Sequence, residues 1–211
     1  MFKDRIDAGA QLAVKLAEYE NKNVVVLAIP RGGLPIGAIV AKALKAPLDV
    51  ALSKKIGHPY HKEYAIGAVS MEDIILTDAM GISEAYIQEE TLRIRKKLKE
   101  RQEEYYRNRT PQRLKDKTVI IVDDGIATGN TLLVTVDLVS HRKPDKIIVA
   151  IPVAPESGIL KLKSNPNVDE VVCLEVPHHF QAVGQFYEAF EQVSDEAAIR
   201  ILEETNPVNL R

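Results

Sequence analysis

The chain is poor in cysteine: Cys173 is the only one in 211 residues. That excludes an intramolecular disulfide and a cysteine-rich zinc site. No apolar run approaches the roughly 20 residues a membrane span needs. The start, Met1-Phe2-Lys3-Asp4-Arg5, lacks the charged-then-apolar layout of a signal peptide. A strong excess of one charge is missing too. The formal net charge is −2 and the pI about 6.2, so bulk electrostatics make no case for nucleic acid. Neither a Walker A pattern nor G-x-G-x-x-G occurs, which removes the fingerprints of P-loop and dinucleotide-binding proteins. There is no internal repeat, low-complexity tract or flexible interdomain linker. The expectation is a soluble, cytoplasmic protein of one domain with no membrane association.

What is present is alternation. An amphipathic helix is predicted over 4–19. Apolar strands are predicted at 24–29, 48–52, 118–122, 146–151 and 170–175, with helices at 36–44, 129–141 and 156–163. Short strands at 65–70 and 74–77 suggest a hairpin around Met71-Glu72-Asp73. Ser53 to Tyr64 is polar and reads as a loop. Repeated β–α alternation predicts an α/β fold with a central, mainly parallel sheet flanked by helices. Two segments break the rhythm: a charged helix over 83–109, with Ser83 as its cap, and the stretch 177–204 after the last strand.

One stretch concentrates the chemistry: Val119-Ile120-Ile121-Val122-Asp123-Asp124-Gly125-Ile126-Ala127-Thr128-Gly129-Asn130-Thr131. A buried parallel strand stops at two acids, and open α/β sheets bind ligands where such strands end. The small residues that follow let backbone N–H groups close around an anion at a helix N-terminus. Carboxylates suit sugar hydroxyls or a hydrated metal, and the loop suits phosphate. Together they predict a phosphorylated sugar.

This stretch resembles the 5-phosphoribosyl-1-pyrophosphate (PRPP) motif of type I phosphoribosyltransferases. The resemblance spans about residues 24–176. It implies that Asp123 and Asp124 contact the ribose hydroxyls near Mg²⁺. It also implies that Gly125, Ala127, Thr128, Gly129, Asn130 and Thr131 surround the 5′-phosphate. Members acting on 6-oxopurines commonly carry an aspartate base where this chain has Ala127, so a 6-oxopurine acceptor is disfavoured. Arg31-Gly32-Gly33, after the first strand, is similar to the family's pyrophosphate loop, which often contains a non-proline cis peptide. Ser53–Tyr64 takes the place of the catalytic lid. Its Lys-Lys-x-Gly…Glu-Tyr resembles the pattern of adenine-type enzymes, and the catalytic candidates are Lys55, then Lys54, with Glu63. Lys55 would also meet the pyrophosphate, with Lys62 in reserve, and His58 and His61 are candidate proton donors.

Residues 93–101 form the sharpest basic cluster, and Ile87, Thr91, Ile94, Leu98 and Tyr105 give that helix one apolar stripe. It reads first as a docked helix with a solvated basic face, and secondarily as a nucleic-acid face. The family also has a variable hood that selects the acceptor. Residues 177–204, with Phe180, Phe186, Tyr187 and Phe190, and the N-terminal helix are its candidates, although such aromatics are more often core. The Val-Gly-x-Phe-Tyr segment at 183–187 and the charged insertion resemble a little-characterised group of predicted phosphoribosyltransferases. The resemblance implies Mg²⁺-dependent transfer from PRPP to a small nitrogenous acceptor by a homodimer. The alternative expectation is a PRPP-binding regulatory or RNA-binding protein of the same fold.

Overall fold

The computed structural model describes residues 1–62, 64–107 and 109–206. Five parallel strands form the central sheet in the order β2-β1-β6-β7-β8. They are β1 (Val24–Ala28), β2 (Leu48–Val50), β6 (Thr118–Val122), β7 (Lys146–Val153) and β8 (Glu170–Glu175). β1 and β6 are almost wholly apolar because both faces of the sheet are covered. Helices α1 (Arg5–Lys15), α2 (Gly33–Leu44) and α6 (Asp195–Thr205) pack on the face presenting Val24, Val26 and Ala28. Helices α4 (Asn130–Ser140) and α5 (Glu156–Ser164) pack on the face presenting Val25 and Leu27. After β1 the chain moves outward to β2, whereas the next core strand, β6, lies on β1's other side. The order therefore reverses between β1 and β6, and a crevice opens at such a reversal, beyond the strand C-termini.

A second sheet is antiparallel, in the order β3-β4-β5: β3 (Ser53–Gly57), β4 (Ala65–Ser70) and β5 (Ile74–Leu76). Ile56, Ile66 and Val69 from it pack against Ile94 and Leu98 of α3 (Glu84–Tyr106), so the predicted apolar stripe is a docking stripe. Ser83 caps α3, its side chain accepting from the Tyr86 N–H.

Three expectations change. The first five residues of the predicted 53–64 loop are β3, because pairing with β4 overrides a polar sequence with one buried apolar residue, Ile56. Helix α2 begins at Gly33 rather than Ile36, since Pro35 fits a first turn. The stretch 177–204 holds most of a helix, α6, which is capped by Ser194 and runs on to Thr205.

Candidate active site

β1 and β6 run in register, Ala28 beside Val122, so the segments leaving them emerge side by side. The Ile29 N–H donates to the Val122 carbonyl at 2.9 Å and ties the two exits together. Arg31-Gly32-Gly33 then lies against Asp123-Asp124. A Cβ on Gly32 would collide with the Asp124 carboxylate, and one on Gly33 would stand 2.7 Å from the Val122 carbonyl oxygen. Glycine is required here by proximity rather than by φ. The Pro30–Arg31 peptide is cis, an isomer that the resembling loops often contain and that the sequence alone leaves open.

The loop after the acids is anchored and then left open. Ile126 is buried and its N–H donates to the Val153 carbonyl at 3.1 Å. Gly125 has a φ of +146°, and a Cβ there would press within 2.7 Å of Val183. Gly129, at +74°, turns the chain into α4. Among the described residues, no protein acceptor takes the N–H groups of Ala127, Thr128, Gly129, Asn130 or Thr131. Such a group of unspent donors at a helix N-terminus suits an anion. The Lys161 ammonium lies 3.5 Å from the Thr128 carbonyl and adds positive charge beside it.

The acid pair is crowded. Burial and the neighbouring Asp124 carboxylate push the Asp123 carboxyl well above the usual carboxylate range. Arg5, the first residue of α1, donates from Nε and Nη2 to Asp124 Oδ2 at 2.9 and 2.7 Å. Its Nη1 donates to the Glu191 carbonyl at 2.7 Å, and its guanidinium lies 3.9 Å over the Phe190 ring. The Tyr187 hydroxyl donates to the Asp124 backbone carbonyl at 2.7 Å. Segments near both ends of the described chain therefore cover the acids, joined by Phe2 N–H to the Phe186 carbonyl and Glu188 N–H to the Phe2 carbonyl. Between cover and acids lies a groove of about 440 Å³ walled by Arg5, Arg31, Gly32, Asp124, Val183 and Phe190. The aromatics are mostly spent on packing. Phe180 stacks on Phe186, and Phe190 sits against both Tyr187 and Arg5.

Arg31 is braced from behind. Its Nη1 is 3.4 Å from Asp195 of α6, which also accepts from the Tyr105 hydroxyl of α3 at 2.9 Å. Lys54 and Lys55 are exposed on β3, without an ion pair among the described residues. β3 touches α4, but no hydrogen bond or ion pair joins either lysine to the acids or the 127–131 loop. Lys62 is tied to the Tyr86 hydroxyl at 2.8 Å and to Glu90 at 3.5 Å. His58 and His61 stack together. Glu63 lies outside the described residues.

For a metal, the donor set is two carboxylates. Among the described residues no group of three or more ligating side chains assembles. Two oxygen donors beside an anion site fit a hard cation such as Mg²⁺ that takes its remaining ligands from a phosphorylated substrate and water. A separate cavity of about 110 Å³ lies behind β2, between α3, α4 and the β4–β5 turn. Asp49 in its wall is satisfied by the N–H groups of Val50 and Gln112 and by the Tyr106 hydroxyl. None of the residues proposed above for sugar or phosphate lines this cavity.

The phosphoribosyl transferase domain profile matches residues 2–191. The chain belongs to this family. Its sheet order and small antiparallel sheet are those of the type I fold. A Mycobacterium tuberculosis protein, Rv0571c, provisionally named a phosphoribosyl transferase, is 38% identical over 208 residues. That match covers 96% of this chain and 46% of the relative, so the chain spans about half the length of its curated relatives. A crystal structure, TT1426 from Thermus thermophilus, superposes with a TM-score of 0.88 at 38% identity, covering 97% of this chain and 98% of that one. Over 66 residues, 30% of this chain and 32% of the relative, it is 44% identical to uracil phosphoribosyltransferase of Mycoplasma genitalium.

Arg5, Asp195 and Lys161 are site residues that the sequence pattern does not mark, and Tyr187, a hood candidate, meets the Asp124 backbone rather than an open face. Arg5 lies 119 positions from Asp124, and nothing in the local pattern marks it.

Proposed function

We propose that the protein is a Mg²⁺-dependent phosphoribosyltransferase that transfers the ribosyl 5-phosphate of PRPP to a nitrogen nucleophile, most simply a nucleobase other than a 6-oxopurine. The observation that carries this reading is the contact of Arg31-Gly32-Gly33 with Asp123-Asp124, next to a loop of unspent N–H donors. Diphosphate, ribose and 5′-phosphate each have an adjacent subsite in one crevice.

In this reading, Ala127 to Thr131 bind the 5′-phosphate through backbone N–H groups, and Thr128 and Thr131 add hydroxyls. Asp123 and Asp124 accept from the ribose hydroxyls. Arg31 and the Gly32 N–H hold the diphosphate, the Gly33 N–H being engaged by the Ile29 carbonyl at 3.0 Å. The acceptor nitrogen attacks C1 as the C1–O bond to pyrophosphate breaks, with inversion and oxocarbenium character at the sugar. Asp123 and Asp124 would hold Mg²⁺, which would offset charge on the departing pyrophosphate. Lys55 does the same from the second sheet, with Lys54 beside it. Catalysis is chiefly positioning and charge stabilisation.

The groove beneath Phe190 is the natural acceptor site. Ala127 offers no proton acceptor for a 6-oxopurine, and the short match to a uracil enzyme agrees with that choice. An RNA-binding role has less support, because three arginines of the basic helix are engaged. Arg93 pairs with Glu90, Arg95 reaches the carbonyls of Ser70 and Glu72, and Arg101 lies by Asp195.

The test offers PRPP and Mg²⁺ with a panel of nucleobases and amines and measures pyrophosphate. Acceptor-dependent release is expected with at least one non-6-oxopurine base. Absence of release with every member, while PRPP binds, would overturn the transferase reading in favour of a PRPP-binding protein.

A further inference from the structure

We propose that Arg5 is a positioning residue of the sugar site, a built-in counter-cation that neutralises and orients Asp124 and makes the two-ended cover part of sugar recognition. The inference rests on the reading of the crevice as a PRPP site and adds to it a residue from outside the strand-end loops.

The geometry is specific. The Arg5 side chain is only 11% exposed and Asp124 only 15%. Nε and Nη2 both approach Oδ2, the same carboxylate oxygen. Among the described residues no donor reaches Oδ1, so that oxygen is left for a ligand hydroxyl. Nη1 and the ring face of Phe190 fix the guanidinium from its other sides. A forked cation held in this way differs from a surface arginine that swings through solvent. It also offsets the repulsion between two adjacent acids that would otherwise oppose loading both onto one sugar.

A second role must be distinguished. An arginine on a ligand-binding acid can be a plug that the ligand expels. Use of a single carboxylate oxygen favours positioning, because the other stays available while the pair is intact. The contacts that hold Arg5 also belong to the cover: Glu191 and Phe190 come from the C-terminal segment, and the Phe2 backbone bonds link that segment to the start of α1. Sugar binding through Asp124 thereby stabilises the walls of the acceptor groove.

Calorimetric titration separates the outcomes, with ribose 5-phosphate and 2-deoxyribose 5-phosphate as probes at fixed Mg²⁺. Wild type should prefer the ribose compound. Arg5→Ala should weaken the ribose compound about tenfold, the size of one charge-assisted hydrogen bond. It should change the deoxy compound by less than about twofold, because the proposal gives Asp124 Oδ1 to the 2-hydroxyl, which that compound lacks, and the phosphate loop lies apart from the substitution. Arg5→Lys should recover part of the loss, one ammonium replacing a fork. Unchanged ribose affinity in Arg5→Ala would overturn the proposal, as would equal losses for both sugars or tighter binding, the signature of a plug. Wild type that binds neither sugar phosphate nor PRPP would overturn the proposed function itself. Binding by wild type with no effect of Arg5 would overturn only this inference.

Discussion

The acid pair and the residues that cover it meet at one place by opposite routes. Asp123, Asp124 and the two glycine-bearing loops leave adjacent parallel strands, each within a few residues of a strand end, and their geometry follows from the β1–β6 register. The cover comes from Phe2 to Arg5 and from Val183 to Glu191, which meet only in the folded state. Chemistry common to every PRPP reaction can be carried by the first kind of structure. Selectivity for an acceptor can sit on the second, which changes without disturbing the sheet.

The comparison is broken most severely at Gly32. Gly32→Ala forces a methyl into the Asp124 carboxylate and should weaken PRPP binding about 100-fold, the loss of two charge-assisted hydrogen bonds. Calorimetry on folded protein checks it. A smaller loss would mean that the two loops adjust independently.

Next come the lysines of the second sheet. Lys55→Ala should lower kcat by about 100-fold if an ammonium meets departing pyrophosphate. Lys62→Ala should lower it by less than about threefold, because Tyr86 and Glu90 already hold that ammonium at an exposed site. Steady-state kinetics with the acceptor found by the panel reads both. Equal effects would erase the distinction drawn from their contacts.

Asp49 supplies a control away from the crevice. Burial outweighs three hydrogen bonds and raises its carboxyl above the ordinary value. A carboxyl raised in the folded state contributes stability that is fully present below its unfolded value and lost as pH rises through the raised one. Urea midpoints should show this decline in wild type and not in Asp49→Asn, while PRPP affinity stays within about twofold. The smallest effect is expected at the basic helix. The triple change of Arg93, Arg95 and Lys97 to Glu should leave RNA retention at background, as in wild type. Salt-sensitive retention lost in the variant would restore the RNA-binding reading.

Much of the core was legible because its signals are local. Val119 to Val122 is buried on both faces, so a continuous apolar run marks the strand, and its abrupt end marks the site. The β4–β5 hairpin and the Ser83 cap were legible for the same reason. β3 was not, since only Ile56 is buried and the rest of its stability is pairing with β4. α6 carries a local signal of its own: Ser194 followed by Asp195 and Glu196, with Ala198 and Leu202 buried four apart. Arg5 and Asp195 had none. Each acts on a partner more than a hundred positions away, and only the fold states that pairing.

The central claim is that Asp123 and Asp124 hold the sugar of PRPP. Calorimetry of PRPP with Mg²⁺ against wild type and the Asp123→Asn/Asp124→Asn double variant tests it most directly. Saturable binding by wild type and a loss of about 100-fold or more in the variant are expected. Equal binding by the two proteins would contradict the assignment of the site.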